Sequence, residues 1–300
     1  MKQLSLPLYP NDPALTLKAA NVASVPNRSP FRYPGGKTWL VPYIRQWLSS
    51  LKVRPPELVE LFAGGGIVGL TAVFENYVDR VRFVERDAAV AAVWQTMLHP
   101  EHGRWLAEAI AAFDLTPENV DALLAQQSIP THQQALQTIV RNRINRGGIL
   151  AQGAGRIKHG ENNRGLRSRW YPATLQKRIL DIVHMRDRIT FVHGDGLAVA
   201  EETAQRTDIV YFVDPPYTAS EKKPGRRLYD HSVIDHYGLF AQLRRTAGDF
   251  LMTYDESEHV RDLAKSFGFA FAPVPMKTTH HARQHELLIG RNLDWLFPSS

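Results

Sequence analysis

Residues 58–66 read Leu58-Val59-Glu60-Leu61-Phe62-Ala63-Gly64-Gly65-Gly66, and the fold is decided there. An apolar run over 58–62 enters three glycines, and the spacing predicts a helix over 67–77. Residues 81–84 supply a second apolar run, so the segment reads strand, helix, strand, the unit of a parallel sheet with right-handed crossovers. Lacking Cβ atoms, the glycines let the turn bend sharply and let a ligand approach the backbone. The helix N-terminus behind them presents unpaired N–H groups. Gly64, Gly66 and Gly69 satisfy the spacing G-x-G-x-x-G, and Glu85 follows about 20 residues on at a strand end, where a carboxylate can accept both hydroxyls of an adenosine ribose. The constellation means an adenosine-containing cofactor; NAD and S-adenosylmethionine fit it equally.

Outward from this unit the α/β pattern stops for about 100 residues and resumes late. Leu106, Ile110 and Phe113 mark one helical face. Thr131 and Gln134 read as a capping box opening a helix that carries Leu136, Ile139 and Val140 and stops at Gly147. Pro172 opens another, with Leu175, Ile179, Ile182 and Val183 on one face. Strands return at 189–193, 209–213, 250–254, 269–274 and 286–289. The expected organisation is an arm over 1–27, rich in Pro, Asn, Ala and Ser, an α/β domain over 28–98 and 188–300, and a helical basic insertion over 99–187.

A chain of 300 residues with 44 % hydrophobic residues can bury a sizeable core. There is no cysteine, which excludes disulfides, thiolate metal sites and a cysteine nucleophile. No apolar run approaches the roughly 20 residues of a membrane helix, and Pro7 and Pro10 interrupt the only short apolar stretch near the N-terminus. A cytoplasmic protein with no membrane partner is expected. The charge is lopsided: residues 141–190 hold twelve Lys and Arg against Glu161, Asp181 and Asp187, a net +9 in a chain of +6, so the remainder sums to −3. Such a block, interleaved with glycine, asparagine and tryptophan, suits a polyanion.

After the apolar run 211–213 comes Asp214-Pro215-Pro216-Tyr217. Ligands of open α/β sheets bind at the carboxyl ends of strands, so chemistry is expected here. The residue types suit activation of the exocyclic N6 amine of adenine, whose lone pair is delocalised into the ring. The Asp214 carboxylate and the Pro215 carbonyl can each accept one amine hydrogen, which favours the geometry that frees the lone pair. Two prolines fix φ and donate nothing, so the carbonyl stays aimed. Tyr217 offers a face for a base extruded from a duplex. Neither a metal nor a covalent enzyme intermediate is needed with a methyl donor activated by its own positive charge.

On these residues the chain resembles the Dam-like, α-group N6-adenine-specific DNA methyltransferases. Phe31-Arg32-Tyr33-Pro34-Gly35-Gly36-Lys37 resembles their N-terminal cofactor motif, Glu60 to Gly66 the first glycine motif, and Asp214 to Tyr217 the catalytic motif; Leu251-Met252-Thr253-Tyr254 and Glu286-Leu287-Leu288-Ile289 resemble the late strand motifs. The resemblance runs from about residue 31 to 290 and keeps the α-group order of cofactor motif, target-recognition insertion and catalytic motif. It implies a Rossmann-like S-adenosylmethionine-dependent methyltransferase sheet with an inserted helical target-recognition domain, S-adenosylhomocysteine as product and double-stranded DNA as partner. It implies cofactor contacts from Tyr33, Gly36, Lys37, Glu60, Phe62, Gly64, Gly66, Glu85, Asp195 and Asp214, and catalysis by Asp214, Pro215, Pro216 and Tyr217. Relatives carry Trp at Tyr33 and Asp at Glu85; a shifted alignment gives the ribose role to Asp87, and Lys37 could reach a DNA phosphate instead.

Asn142, Asn145, Arg146, Arg156, Lys158, Arg164 and Arg167 of the insertion are candidates for phosphate contact or base readout, as Arg reads guanine and Asn reads adenine. Lys222, Lys223 and Arg226 form a second basic cluster after the catalytic tetrapeptide. The competing readings are an NAD-dependent oxidoreductase, an amino-methyltransferase acting on cytosine N4, RNA or a protein amide, and a non-catalytic DNA-binding protein. The first leaves the 33–37 motif, the Asp-Pro-Pro-Tyr turn and the basic insertion without a role.

Overall fold

Strand β4 (Ile209–Val213) is apolar at every position because both its faces are covered. Val210 and Phe212 point into one core, Tyr211 and Val213 into the other. The computed structural model describes residues 25–32, 36–151, 153–216, 235–277 and 283–297. In it β4 lies at the centre of a seven-stranded sheet with β1 (Glu57–Glu60), β2 (Arg80–Glu85), β3 (Ile189–His193), β5 (Asp249–Asp255), β6 (Ala270–Lys277) and β7 (Arg283–Gly290). The order is β3-β2-β1-β4-β5-β7-β6. Strands β1 to β5 pair in parallel, and β7 runs antiparallel between β5 and β6. Unbroken burial on both faces is the signature of parallel strands sandwiched between helices.

Helices α1 (Val41–Ser50), α2 (Ile67–Phe74) and α3 (Ala88–Leu98) contribute to one core. On the other face lie α8 (Gly196–Glu202), α9 (His236–Arg245) and α10 (Glu258–Ser266). This is the expected Rossmann-like doubly wound α/β fold. Helices α4 (His102–Ala112), α5 (Pro117–Ala125), α6 (Thr131–Ile144) and α7 (Pro172–His184) come between β2 and β3 in sequence. Their apolar faces (Leu106, Ile110, Ile139, Leu175, Ile179) join the same cluster as α2 and α3. The residues of the basic segment therefore stand on a core continuous with one sheet face. Among the described residues no helix is long and apolar enough to cross a membrane.

Strands β3 and β4 have the bounds read from sequence. Strand β1 ends at Glu60 rather than Phe62, since Leu61 and Phe62 already turn. The α/β alternation stops after β2 as expected, since among the described residues no strand lies between Glu85 and Ile189, but one helix there was not read from the sequence. Helix α3 follows at once, with Val90, Ala91, Ala92, Val93, Trp94, Thr96 and Met97 all buried. A helix covered on most sides has no polar face, so its 3.6-residue period is smeared and the sequence shows only an apolar stretch. The capping box at Thr131 does not form: Pro130 occupies the N-cap and Thr131 is the first helical residue.

Gly69, in α2, is pressed against β2. A Cβ there would lie 2.5 Å from both Phe83 Cε1 and Val81 Cγ2. Gly69→Ala is expected to destabilise the protein by about 1–3 kcal/mol through overpacking. Gly194→Ala, whose Cβ would come no nearer than 3.5 Å to any neighbour, is the control. Thermal denaturation of the two variants side by side checks this; equal melting temperatures would remove the packing argument.

Candidate active site

The loop after β1 is stretched over its neighbours. Leu61 N–H donates to the Phe212 carbonyl (3.1 Å) and Ala63 N–H to the Val84 carbonyl (2.9 Å), so residues 61–66 are pinned between the ends of β4 and β2. Gly66 closes the loop at φ +64°, the left-handed region, as the N-cap of α2. The Trp94 indole N–H donates to the Gly64 carbonyl (2.9 Å). Its ring lies so close to Gly66 that a Cβ would sit 2.7 Å from it. Glu60 does not face this loop. Its side chain is 3 % exposed and accepts from Gly69 N–H (2.7 Å), anchoring α2 to β1. Burial pushes its carboxyl well above the usual carboxylate range, and the Gly69 amide opposes this only in part. The expected cofactor contact from Glu60 is thus replaced by a structural one.

At the end of β2, Glu85 is held in one orientation by three backbone donors, Gly64, Arg86 and Asp87, each at 2.8 Å. Burial raises its pKa against these amides. Asp87 is engaged otherwise: it caps α3, accepting from Ala89 N–H (2.8 Å) and Val90 N–H (3.0 Å). Of the two acids the sequence offered, Glu85 is the one turned to the glycine loop. Beyond β3, Gly194 N–H donates to the Glu85 carbonyl (3.0 Å), and the half-exposed Asp195 caps α8 through Leu197 N–H (2.8 Å). Asp195, Glu85, the 62–66 loop and Asp214 therefore line the carboxyl edge in the order β3, β2, β1, β4. The strand order reverses direction between β1 and β4, where open α/β sheets bind their ligands.

Asp214 follows β4 directly, with Pro215 and Pro216 after it. Its Oδ1 accepts from the Thr253 hydroxyl on β5 (2.8 Å) and lies 3.1 Å from Lys37 Nζ. Lys37 begins a short 3-10 helix, Lys37–Leu40, after the exposed Gly36. It is only 5 % exposed, so it does not reach a DNA phosphate. Its ammonium lies between Asp214 and Glu286, 3.2 Å from Glu286 Oε2 and 3.4 Å from Oε1. Burial disfavours the ammonium, but the two carboxylates outweigh it and raise the Lys37 pKa. At Glu286 burial wins over Lys37, with Asp214 adding to it, and the carboxyl is pushed up to about 7. Next along β5, the buried Tyr254 hydroxyl meets His236 Nδ1 at 2.7 Å. Thr253 and Glu286 had no assigned role in the sequence. The signal for them was register: Glu286 pairs with Asp255, two residues beyond Thr253, beside the end of β4.

The basic segment divides in two. Asn142 is fully buried (0 % exposed): its carbonyl accepts from Arg32 N–H (2.8 Å), and its NH₂ donates to the carbonyls of Arg32 (2.8 Å) and Gly148 (2.6 Å). Asn145 is buried and donates to the Ile149 carbonyl (2.7 Å). Neither amide is presented to a base edge, contrary to the sequence reading; Asn142 ties Arg32 and the 146–149 turn to α6, and Asn145 ties that turn alone. Arg143 does the same through the Pro30 carbonyl, and burial followed by the nearby Arg178 and Arg32 lowers its pKa to about 9. Arg146, Lys158 and Arg164 are exposed. Arg156, half-buried, and Arg167, exposed, are paired with Asp121 and Asp114, acids from outside residues 141–190 that relieve part of that segment's charge. Tyr33, Tyr217, Lys222, Lys223 and Arg226 lie outside the described residues.

Residues 33–79 match the family model of D12 class N6 adenine-specific DNA methyltransferases. The resemblance read from the sequence is thereby borne out over that segment, which supports methyltransferase chemistry with S-adenosylmethionine as methyl source. No curated protein matches the chain. Among solved structures, an rRNA methyltransferase, aviRa, from Streptomyces viridochromogenes aligns at 13 % identity over 87 % of each chain, with a TM-score of 0.40. A putative methyltransferase, yhhF, from Escherichia coli aligns at 11 % identity over 88 % of this chain and 92 % of its own, at 0.38. A putative RNA methyltransferase from Pyrococcus horikoshii aligns at 11 % identity over 87 % and 84 %, at 0.37.

The two acids after β2 separate experimentally. Asp87→Ala is expected to cost about 1 kcal/mol of stability through the lost cap and to leave cofactor affinity intact. Glu85→Ala is expected to lower S-adenosylmethionine affinity at least tenfold, about 1.4 kcal/mol for a lost charge-assisted hydrogen bond. Calorimetric titration of both variants checks this; the opposite assignment would give Asp87 the ribose.

Proposed function

We propose that the protein transfers the methyl group of S-adenosylmethionine to the N6 amine of an adenine flipped out of double-stranded DNA. The observation that carries this reading is the row of groups along the carboxyl edge, with Asp214 and two prolines at the end of β4. Asp195 is suited to the adenine end of the cofactor, Glu85 to the ribose hydroxyls, and the backbone of Phe62 to Gly66 to the amino-acid end. The donor set fits such a group: one fixed carboxylate, one helix-capping carboxylate and a loop without Cβ bulk at Gly64 and Gly66. When bound, the cofactor supplies a methyl already activated on a sulfonium, so the chain's task is positioning.

Asp214, with Oδ1 held by Lys37 and Thr253, presents a carboxylate of fixed direction to the amine. The Pro215 carbonyl offers the second acceptor. Two amine hydrogens drawn to two fixed acceptors set the nitrogen lone pair perpendicular to that pair, toward the methyl donor. Tyr217 is assigned the stacking role. Arg146, Lys158 and Arg164 are assigned phosphate contacts, with Arg156 and Arg167 joining them on exchange of their acidic partners for phosphates.

Incubation with labelled cofactor and mixed-sequence DNA is expected to yield N6-methyladenine, and Asp214→Ala to abolish it. Label in N4-methylcytosine, or in RNA alone, would refute the adenine assignment; tighter binding of NAD than of S-adenosylmethionine would refute the cofactor. On non-specific DNA, log affinity is expected to fall with log salt by about 0.9 per phosphate contacted, and Arg164→Ala to reduce that slope by about one contact. Asn142→Ala is expected to leave the slope unchanged while lowering the melting temperature.

A further inference from the structure

Glu286 is 4 % exposed, lies on the one reversed strand of the sheet, and has no part in the reaction as described above. A buried carboxylate is costly unless paired, and its partner here is the Lys37 ammonium, itself buried. On its other side the same ammonium meets Asp214 Oδ1. The ammonium is thus shared by two carboxylates, of which Asp214 is the more open.

We propose that Glu286 is a positioning residue that holds the Lys37 ammonium in place and divides its charge, so that Asp214 is fixed in direction yet remains a strong hydrogen-bond acceptor. This rests on the reading of Asp214 as the group that receives the target amine. With Glu286 neutral or absent, Asp214 is the carboxylate still in contact with the ammonium. The ammonium then closes on Asp214, draws off its negative charge and competes with the amine for it. Lys37 thus acts as a brace or as a competitor, and Glu286 decides which. Thr253 fixes the same oxygen from β5 but is uncharged and cannot replace it.

The charged groups facing Glu286 among the described residues are Lys37, Asp214 and, in register on β5, Asp255; β6 opposes it with Val274. Burial, then Asp214 and Asp255, outweigh Lys37 and put its ionisation at about 7. The rate should therefore rise with pH through about 7 as Glu286 ionises and takes its share of Lys37. Stability runs the other way. Because the folded-state pKa lies above the unfolded value, this group's contribution is complete below the unfolded pKa and is lost as pH rises through about 7. His236, lowered first by burial, titrates below this limb.

The test is single-turnover methylation of DNA by the full chain and by Glu286→Gln, Lys37→Met and the double variant, across pH 5.5–8.5, with cofactor and DNA affinities and melting temperatures measured in parallel. Glu286→Gln is expected to lower the transfer rate on the order of 10²-fold, as misplacement of a reacting group does, with both affinities unchanged. Its pH profile should be flat where that of the unaltered chain rises. The double variant, with no unpaired buried charge, should regain stability but stay as slow as Lys37→Met. A Glu286→Gln rate equal to that of the unaltered chain, an unchanged pH limb, or recovery of rate along with stability in the double variant would overturn the proposal. Failure of the unaltered chain to methylate DNA would instead overturn the reading of Asp214.

Discussion

A lysine ammonium taken out of water costs several kcal/mol unless carboxylates surround it, and at Lys37 they come from two strands that are neighbours of β5 on opposite sides. Asp214 ends β4, and Glu286 lies on β7. The contact ties the segment preceding α1 to the edge of the sheet and sets the direction of the one carboxylate placed for chemistry. What lies upstream of Lys37 is held with similar care: backbone carbonyls of residues 29, 30 and 32 are bonded by Arg178, Arg143 and Asn142. The helices that flank the exposed cations thus also hold the polypeptide that leads to Lys37. Substitutions in that clamp would act on both surfaces at once, which is why an arginine or asparagine in a basic stretch need not be a contact residue.

The second constraint is steric. The glycine loop is shaped from its inner side, where Trp94 and Phe83, whose rings lie 4.4 Å apart, leave no room for a Cβ at Gly66. Pocket and core are two sides of one backbone. Glu60, one residue before the turn, is spent inside that core on Gly69. This shows how little separates a ligand-facing acid from a structural one.

The sheet was legible because parallel strands buried on both faces are short apolar runs, and β3 and β4 appear in the sequence with their full bounds. Glu85 and Asp214 were legible because each is an acid directly after such a run. Helix α3 was not, since a helix without a wet face has no period to find. Asn142 was misread because its side-chain chemistry suits a base edge and a peptide group equally; only its burial, set by the packing of α6 against distant backbone, distinguishes them. Glu286 and Thr253 were invisible as a pair because their relation exists only across the β5–β7 ladder, and sequence spacing says nothing about pairing across more than thirty intervening positions.

Strand β7 enters the sheet in the reverse direction, so it presents its beginning where its neighbours present their ends. Glu286 therefore reaches Lys37 across 249 positions of chain. During synthesis β1 to β5 can emerge and pair while this ion pair still lacks one member. The brace is among the last things to form, and a nascent or C-terminally clipped chain would carry the ammonium against Asp214 with no Glu286 to share it. Such a protein would hold its cofactor cleft and have no working acceptor, a built-in silence until the final hairpin has folded.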